Sequence, residues 1–254
     1  MTLDILLTND DGIDSPGLHA LDDALSEIGD VTVVAPAENK SATGRALSRD
    51  VAVTERERGY AVDGTPADCV IVGVEAIGPR PDLVVAGCNA GANIGTYVLG
   101  RSGTVSAAVE AAFCDVPAIA SSMLLKSEDF QRTVEKDEYA AAADATRYLA
   151  EHAFDSGVFE EADYLNLNAP HPESDVRGMR VTAPASGYDM TANHQKGRIS
   201  IDDRMWDRID ADAITDPEGT DRRAVVDGFL SVSPLTAPHS TSHHDHLDAL
   251  VADY

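Results

Sequence analysis

The sequence predicts an α/β fold of three layers, with a mostly parallel sheet between two layers of helices. Three observations carry that prediction. Short apolar runs alternate with helical patterns from Asp4 to about residue 185, an order that builds βαβ units and therefore parallel strands. Asn-, Asp- and Gly-rich loops follow the strand-like runs, where an open parallel sheet places its ligands. The length of 254 residues suits one such domain with an appendage, and 43% hydrophobic residues suffice for a sizeable core.

Taken in order, Asp4-Ile5-Leu6-Leu7-Thr8 reads as a buried first strand. Ser15-Pro16 supplies an N-cap and a first-turn proline for a helix over residues 17–28. Val31-Thr32-Val33-Val34 is the second strand, leaving through a polar loop that ends at Gly44. Residues 51–54 and 60–62 read as a short hairpin. Thr65 then caps a helix, with Asp68 three residues on, where a carboxylate meets the free N–H groups. Leu83-Val84-Val85-Ala86 is a third buried strand, before an Asn- and Gly-rich loop over residues 87–103. Helices are expected over residues 104–113 and 138–152, and strands over Ala118–Met123 and residues 164–168. Beyond residue 185 the chain turns polar and acidic over residues 187–221 and holds its single Trp, Trp206, which reads as packing within an arm. This part lacks helical periodicity; it reads as a projecting arm, followed by a strand over residues 225–232 and a last helix over residues 240–254. The expected division is a main α/β unit over residues 1–185 and a second unit over residues 186–254 that packs on the first or on a neighbouring subunit.

Charge removes several function classes. Forty-four acidic residues against 19 basic ones leave a net charge of −25, which repels nucleic-acid polymers and anionic membranes. The basic residues are four Lys and fifteen Arg. Such a balance fits a halophile's cytosol, where molar salt screens self-repulsion over about 3 Å. Cys69, Cys88 and Cys114 are odd in number and widely spaced, which suits reduced thiols rather than a disulfide framework. No signal-peptide pattern and no apolar run of membrane length is found, so a cytoplasmic location is expected.

Three loops share the expected rim of the sheet. Asn9-Asp10-Asp11-Gly12 places two adjacent carboxylates after the first strand; they repel unless a cation neutralises them, and such oxygen ligands suit Mg²⁺ or Mn²⁺. The second loop offers Asn39, Lys40, Ser41 and Thr43. In the third, Asn89 can give a neutral amide oxygen to a cation, while Ser102-Gly103-Thr104 opens a helix whose N–H groups favour phosphate. Together they describe a hard-metal carboxylate site facing a phosphate cradle. His239, His243, His244 and His246, with Asp245 among them, suggest a second metal site but read better as surface residues.

With these loops assembled, the chain resembles the SurE family of survival-protein nucleotidases. The resemblance rests on Ile5-Leu6-Leu7-Thr8-Asn9-Asp10-Asp11-Gly12, Val33-Val34-Ala35-Pro36 leading to Asn39-Lys40-Ser41, and Gly64-Thr65-Pro66-Ala67-Asp68. It continues through Pro81–Asn89 as an unbroken run, Gly91-Ala92-Asn93-Ile94-Gly95, Ser102-Gly103-Thr104-Val105, Asn166-Leu167-Asn168-Ala169-Pro170 and Thr220-Asp221. The resemblance implies a Rossmann-like three-layer α/β/α fold with a C-terminal hairpin arm, exchanged between subunits to form a homodimer or homotetramer. It implies a metal-dependent phosphatase acting on 5′- and 3′-nucleoside monophosphates, with short polyphosphate as a side substrate. One divalent ion per subunit would be held by Asp10, Asp11, Ser41 and Asn89, with Asp10 and Asp11 catalytic. Phosphate would meet Asn9, Asn93, Ser102, Gly103 and Thr104. Arg101 departs from the family pattern, in which an aromatic often precedes the Ser-Gly-Thr.

Two rivals belong to other classes. A Mg²⁺-binding receiver-like signalling domain needs an acceptor Asp after its third strand and a Lys after its fifth; Asp50 precedes its strand, and no Lys follows residues 118–123 until Lys126. A catalytically inactive nucleotide-binding protein is the other. A haloacid-dehalogenase-like phosphatase needs Asp-x-Asp, which Asn9-Asp10-Asp11-Gly12 is not.

Overall fold

A computed structural model describes residues 2–237 and residue 251; the His239–His246 cluster and, residue 251 apart, the expected last helix lie outside those residues. Strands β1 (Leu3–Thr8) and β2 (Gly29–Pro36) flank helix α1 (Pro16–Leu25), and β3 (Val53–Arg56) with β4 (Gly59–Val62) forms the small hairpin. Helix α2 (Pro66–Glu75) leads to β5 (Leu83–Ala90), a short α3 (Thr96–Leu99), α4 (Gly103–Phe113) and β6 (Ala118–Met123). Helix α5 (Ala140–Ser156), β7 (Tyr164–Ala169) and β8 (Met179–Val181) follow. The remainder is β9 (Met190–Gln195), β10 (Arg198–Asp203), α6 (Arg204–Asp210), α7 (Asp221–Val226) and β11 (Leu230–Leu235).

The main sheet has nine strands in the order β3-β4-β2-β1-β5-β6-β7-β11-β8. Strands β4 to β7 in that order run parallel, and β11 returns antiparallel to β7. Alternate side chains face opposite layers, as a pleated strand requires. Ile5 and Leu7 join Leu18 and Leu21 of α1 and the Ala positions of α5. Leu6 points the other way, into Val70 and Val74 of α2 and Val105 and Ala108 of α4. The first two loops and α4 thereby open on one rim.

The Thr65 cap forms as expected, its hydroxyl accepting from Asp68 N–H while the Asp68 carboxylate accepts from Thr65 N–H. Several boundaries differ from the expectation. Residues 225–226 end α7 rather than begin a strand: the helix ends at Val226, Gly228 beyond it turns the chain at φ +82°, and the strand starts at Leu230. The β-branched pair Val225-Val226 suggests a strand, but both are held by the packing of α7. Segment 187–221 contains α6 as well as a hairpin. In that hairpin β9 and β10 pair around Lys196-Gly197, both at positive φ, the tight connection that matches strand twist. Strand β11, from beyond residue 185, lies within the main sheet between β7 and β8.

Candidate active site

The loops after β1, β2 and β5 and the start of α4 enclose a cleft of about 570 Å³, into which Asp10, Ser41, Asn89, Asn93 and Ser102 all face. Asp10 follows the end of β1, and its carbonyl accepts from Lys40 N–H at 2.7 Å, which ties the first loop to the second. Its carboxylate accepts from the Thr104 hydroxyl at 2.6 Å. Gly103 lies directly behind it: a Cβ there would sit 2.7 Å from Asp10 Cβ. Only 3% of Asp10 is exposed. Burial, reinforced by the neighbouring Asp11 carboxylate, pushes its pKa up to about 6.

Asp11, next to Asp10 but not itself among the cleft-lining residues, bridges the other two loops. It accepts from Asn39 Nδ2 at 3.1 Å and from Ala90 N–H at 3.1 Å; burial raises its pKa despite both bonds. Asn39 in turn accepts from Ser41 N–H at 2.9 Å, which places Ser41 on the cleft edge. The pairing of β5 with β6 shifts register between Ala86 and Asn89. Such a bulge re-aims a side chain, and Gly87 permits it, at φ +137° and with no room for a Cβ against the Ser121 carbonyl. Asn89 Nδ2 donates to Gly91 O at 2.5 Å, leaving its Oδ1 uncommitted on the cleft side.

This donor set fits a hard divalent cation. Two adjacent carboxylates, both with pKa raised chiefly by burial, lie beside a hydroxyl and an amide as the other candidate donors. No group of three or more His, Cys, Asp or Glu that could hold a metal occurs among the described residues. On the other side of the cleft is the N-terminus of α4. Ser102 caps it by accepting from Val105 N–H at 3.1 Å and lines the cleft at the positive end of the helix dipole, whereas Gly103 and Thr104 are not among the lining residues.

Not every expected site residue faces the cleft. Asn9 is fully buried and committed to its own loop, donating to Gly12 O at 3.0 Å and Ser15 Oγ at 2.7 Å and accepting from Gly12 N–H at 3.2 Å. It shapes the turn that presents the two aspartates. Thr104 is fully buried and spends its hydroxyl on Asp10. Asn93 lines the cleft by its side chain, while its backbone N–H is taken by Asn168 Oδ1 at 2.7 Å.

Sequence reasoning missed most of the outer wall, Tyr97, Ser127, Phe130, Met190 and Asp203, and weighed base stacking by its remaining member, Trp206, below arm packing. Trp206 does pack against Met205 and Ile209, yet it also borders the cleft. Tyr97 donates its phenol to Asp203, meets Tyr188 edge-on at 5.2 Å, and carries the Arg101 guanidinium 5.5 Å from its ring centre. Burial and Asp203 hold the Tyr97 pKa above its ordinary value, so it stays a donor. Arg101 therefore turns toward the cleft. The only available signal was compositional: exposed aromatics in acidic loops.

Comparison with known proteins identifies the family. A family model described as survival protein SurE matches residues 5–190. The chain is 59% identical over 252 residues to a protein named 5′-nucleotidase SurE from Halobacterium salinarum, covering 99% of this chain and 98% of that one. It is 57% identical over 258 residues to the protein of the same name from Haloquadratum walsbyi, another halophilic archaeon. The crystal structure of the SurE protein from Aquifex aeolicus superposes with a TM-score of 0.78 at 32% identity, over 94% of this chain and 95% of that one. An α/β sheet of matching architecture, the rim loops in their expected order and identity across nearly the whole length lead to one conclusion: the chain belongs to the SurE family.

Proposed function

We propose that the chain is a divalent-metal-dependent phosphomonoesterase that hydrolyses nucleoside 5′- and 3′-monophosphates to nucleoside and phosphate, with short polyphosphate as a further substrate. The observation that carries this reading is the meeting of Asp10, Ser41 and Asn89 with Asn93 and Ser102 around one cleft. The nucleotidase names of its relatives support the same reading. Asp10, Asp11, Ser41 and Asn89 would hold one Mg²⁺ or Mn²⁺ per subunit; when bound, such an ion polarises a phosphate oxygen and acidifies a water.

The remaining work falls to the chain itself. Ser102 and the first N–H groups of α4 hold phosphate oxygens as negative charge builds on them. The Asn93 side chain borders the same space. Asp10 or Asp11 accepts the proton of the attacking water. Thr104 keeps one Asp10 oxygen directed by its 2.6 Å bond. The aromatic wall offers Trp206 and Phe130 to a nucleobase. The β9–β10 hairpin, with Ile199 65% and Ile201 71% exposed, joins subunits into homodimers or homotetramers, and residues 1–185 carry the catalytic groups. The charge balance disfavours nucleic-acid polymers and anionic membranes as partners, and the proposed place of action is the cytoplasm. No helix of the described residues is long and apolar enough to cross a membrane.

The test is phosphate release from purified protein in molar KCl, with nucleoside monophosphates and tripolyphosphate, with Mg²⁺, Mn²⁺ or EDTA. Metal-dependent release favouring nucleotides is expected. No release with any metal from folded protein overturns the reading in favour of an inactive nucleotide-binding protein.

A further inference from the structure

Three buried polar side chains at the ends of β6 and β7 serve no step in the mechanism above. Ser122, Asn166 and Asn168 have no exposed surface, at positions where a parallel sheet covered on both faces ordinarily carries apolar residues. Ser122 and Asn168 are direct partners in the pairing of the two strands, and Asn166 lies two residues before Asn168, on the same face.

All three converge on Asn93. Asn168 forms a reciprocal pair with its backbone: Asn93 N–H donates to Asn168 Oδ1 at 2.7 Å, and Asn168 Nδ2 donates to Asn93 O at 3.2 Å. Asn166 Nδ2 donates to the same carbonyl at 2.9 Å. Ser122 Oγ accepts from Asn93 Nδ2 at 2.9 Å, which sets the side-chain torsion. Asn166 Oδ1 is left with no hydrogen-bond partner among the described residues. A buried acceptor without a partner is costly; that amide is oriented for its donor, at the expense of its acceptor. Two residues further on, Gly95 N–H is held at 2.7 Å by the buried carboxylate of Asp221. The loop is thus pinned at both ends of the turn that carries Asn93.

Resting on the reading of the cleft as a phosphomonoesterase site, we propose that Asn168, assisted by Asn166 and Ser122, is a positioning residue for the reaction. It fixes the backbone of Asn93, so that the one Asn93 group left facing the cleft, its side-chain amide, is aimed at the phosphate as charge develops there. None of the three touches substrate. Their effect passes through Asn93, and a mutant cycle isolates that dependence.

The experiment compares wild type, Asn168→Ser, Asn93→Ala and the double variant. It reads kcat and KM for a nucleoside monophosphate with Mn²⁺ in molar KCl, with thermal unfolding of each protein. Asn168→Ser is expected to lower kcat about 10- to 100-fold, the range in which small misplacements act, and to move KM much less. In the Asn93→Ala background the same substitution should change kcat by less than about twofold. Equal losses in both backgrounds make Asn168 merely structural and overturn the proposal, as does full activity in Asn168→Ser. If Asn168→Ser does not fold, Asn166→Ser, which removes one of the two donors to the Asn93 carbonyl, takes its place in the cycle. An inactive wild type instead overturns the site reading itself. Full activity in Asn93→Ala removes Asn93 from the site, and the proposal with it.

Discussion

Replacing Asp10 by Asn should stabilise the metal-free protein while abolishing its activity. The Asp10 carboxyl is raised from 3.8 to about 6, first by burial and then by Asp11. Below pH 3.8 it is protonated folded or unfolded and has no effect on stability. As pH rises from there to about 6, the unfolded chain releases this proton and the folded chain does not. Metal-free stability therefore falls through that window, and above it the loss is complete. At 1.36 kcal/mol for each tenfold change in proton affinity the loss is about 3 kcal/mol. The amide of the Asp10→Asn variant would escape it and still accept from Thr104, so a gain of about 1–3 kcal/mol is expected near neutral pH. For a chain of this size that is about 3–10 °C in Tm. Because burial is the larger cause, molar KCl should trim the Asp11 contribution and leave most of the effect. The assay is thermal unfolding of both proteins with EDTA across the acid-to-neutral range. The quantity read is their difference, which cancels the other carboxylates. With excess Mn²⁺ the order should reverse, since only the wild type gains from a bound ion. A difference that does not grow between pH 3.8 and about 6, or an Asp10→Asn protein no more stable than wild type in EDTA, would refute the reasoning.

Other expectations follow from the same geometry. Gly103→Ala should cost about 10- to 100-fold in kcat/KM with the fold retained, because its Cβ would press on Asp10 at 2.7 Å and displace the carboxylate; steady-state kinetics with circular dichroism reads both. Trp206→Ala should raise KM for nucleotides about 5- to 100-fold, as loss of a base-stacking contact does, and leave tripolyphosphate hydrolysis unchanged. A parallel rise for both substrates would assign Trp206 to packing alone. Ile199→Asp combined with Ile201→Asp should convert the oligomer to monomers in light scattering after size exclusion, since these two side chains are the exposed apolar pair of the hairpin. An unchanged mass would remove the hairpin from the interface.

Much of the fold was legible because its signals are local. Apolar runs gave β1, β2, β5 and β6, and the Thr65–Asp68 cap was visible within four residues. The two aspartates were legible for the same reason: adjacent carboxylates at a strand end repel each other, and that is visible within two residues. What sequence spacing does not carry is long-range pairing. Asn93 meets Asn168 across 75 positions and Gly95 meets Asp221 across 126, so the clamp on the Gly-rich loop was invisible until the strands were laid side by side. Asn9 sits beside the aspartates, where the resemblance implies a phosphate contact, yet its side chain closes its own turn. Phe130 and Trp206 reach the cleft from a loop after β6 and from beyond the hairpin. Val225-Val226 misled in the opposite way, since β-branched residues favour strands only where packing allows it.

The central claim is that Asp10, Asp11, Ser41 and Asn89 hold a divalent ion on which phosphate release depends. The most direct measurement titrates Mn²⁺ into EDTA-stripped wild type and Asn89→Ala, reading heat of binding and phosphate release from a nucleoside monophosphate on the same samples. One ion per subunit is expected in the wild type, with activity rising in step with occupancy, and at least about tenfold weaker binding in the variant. Release that is complete in EDTA, or binding of equal strength in both proteins, would contradict the account.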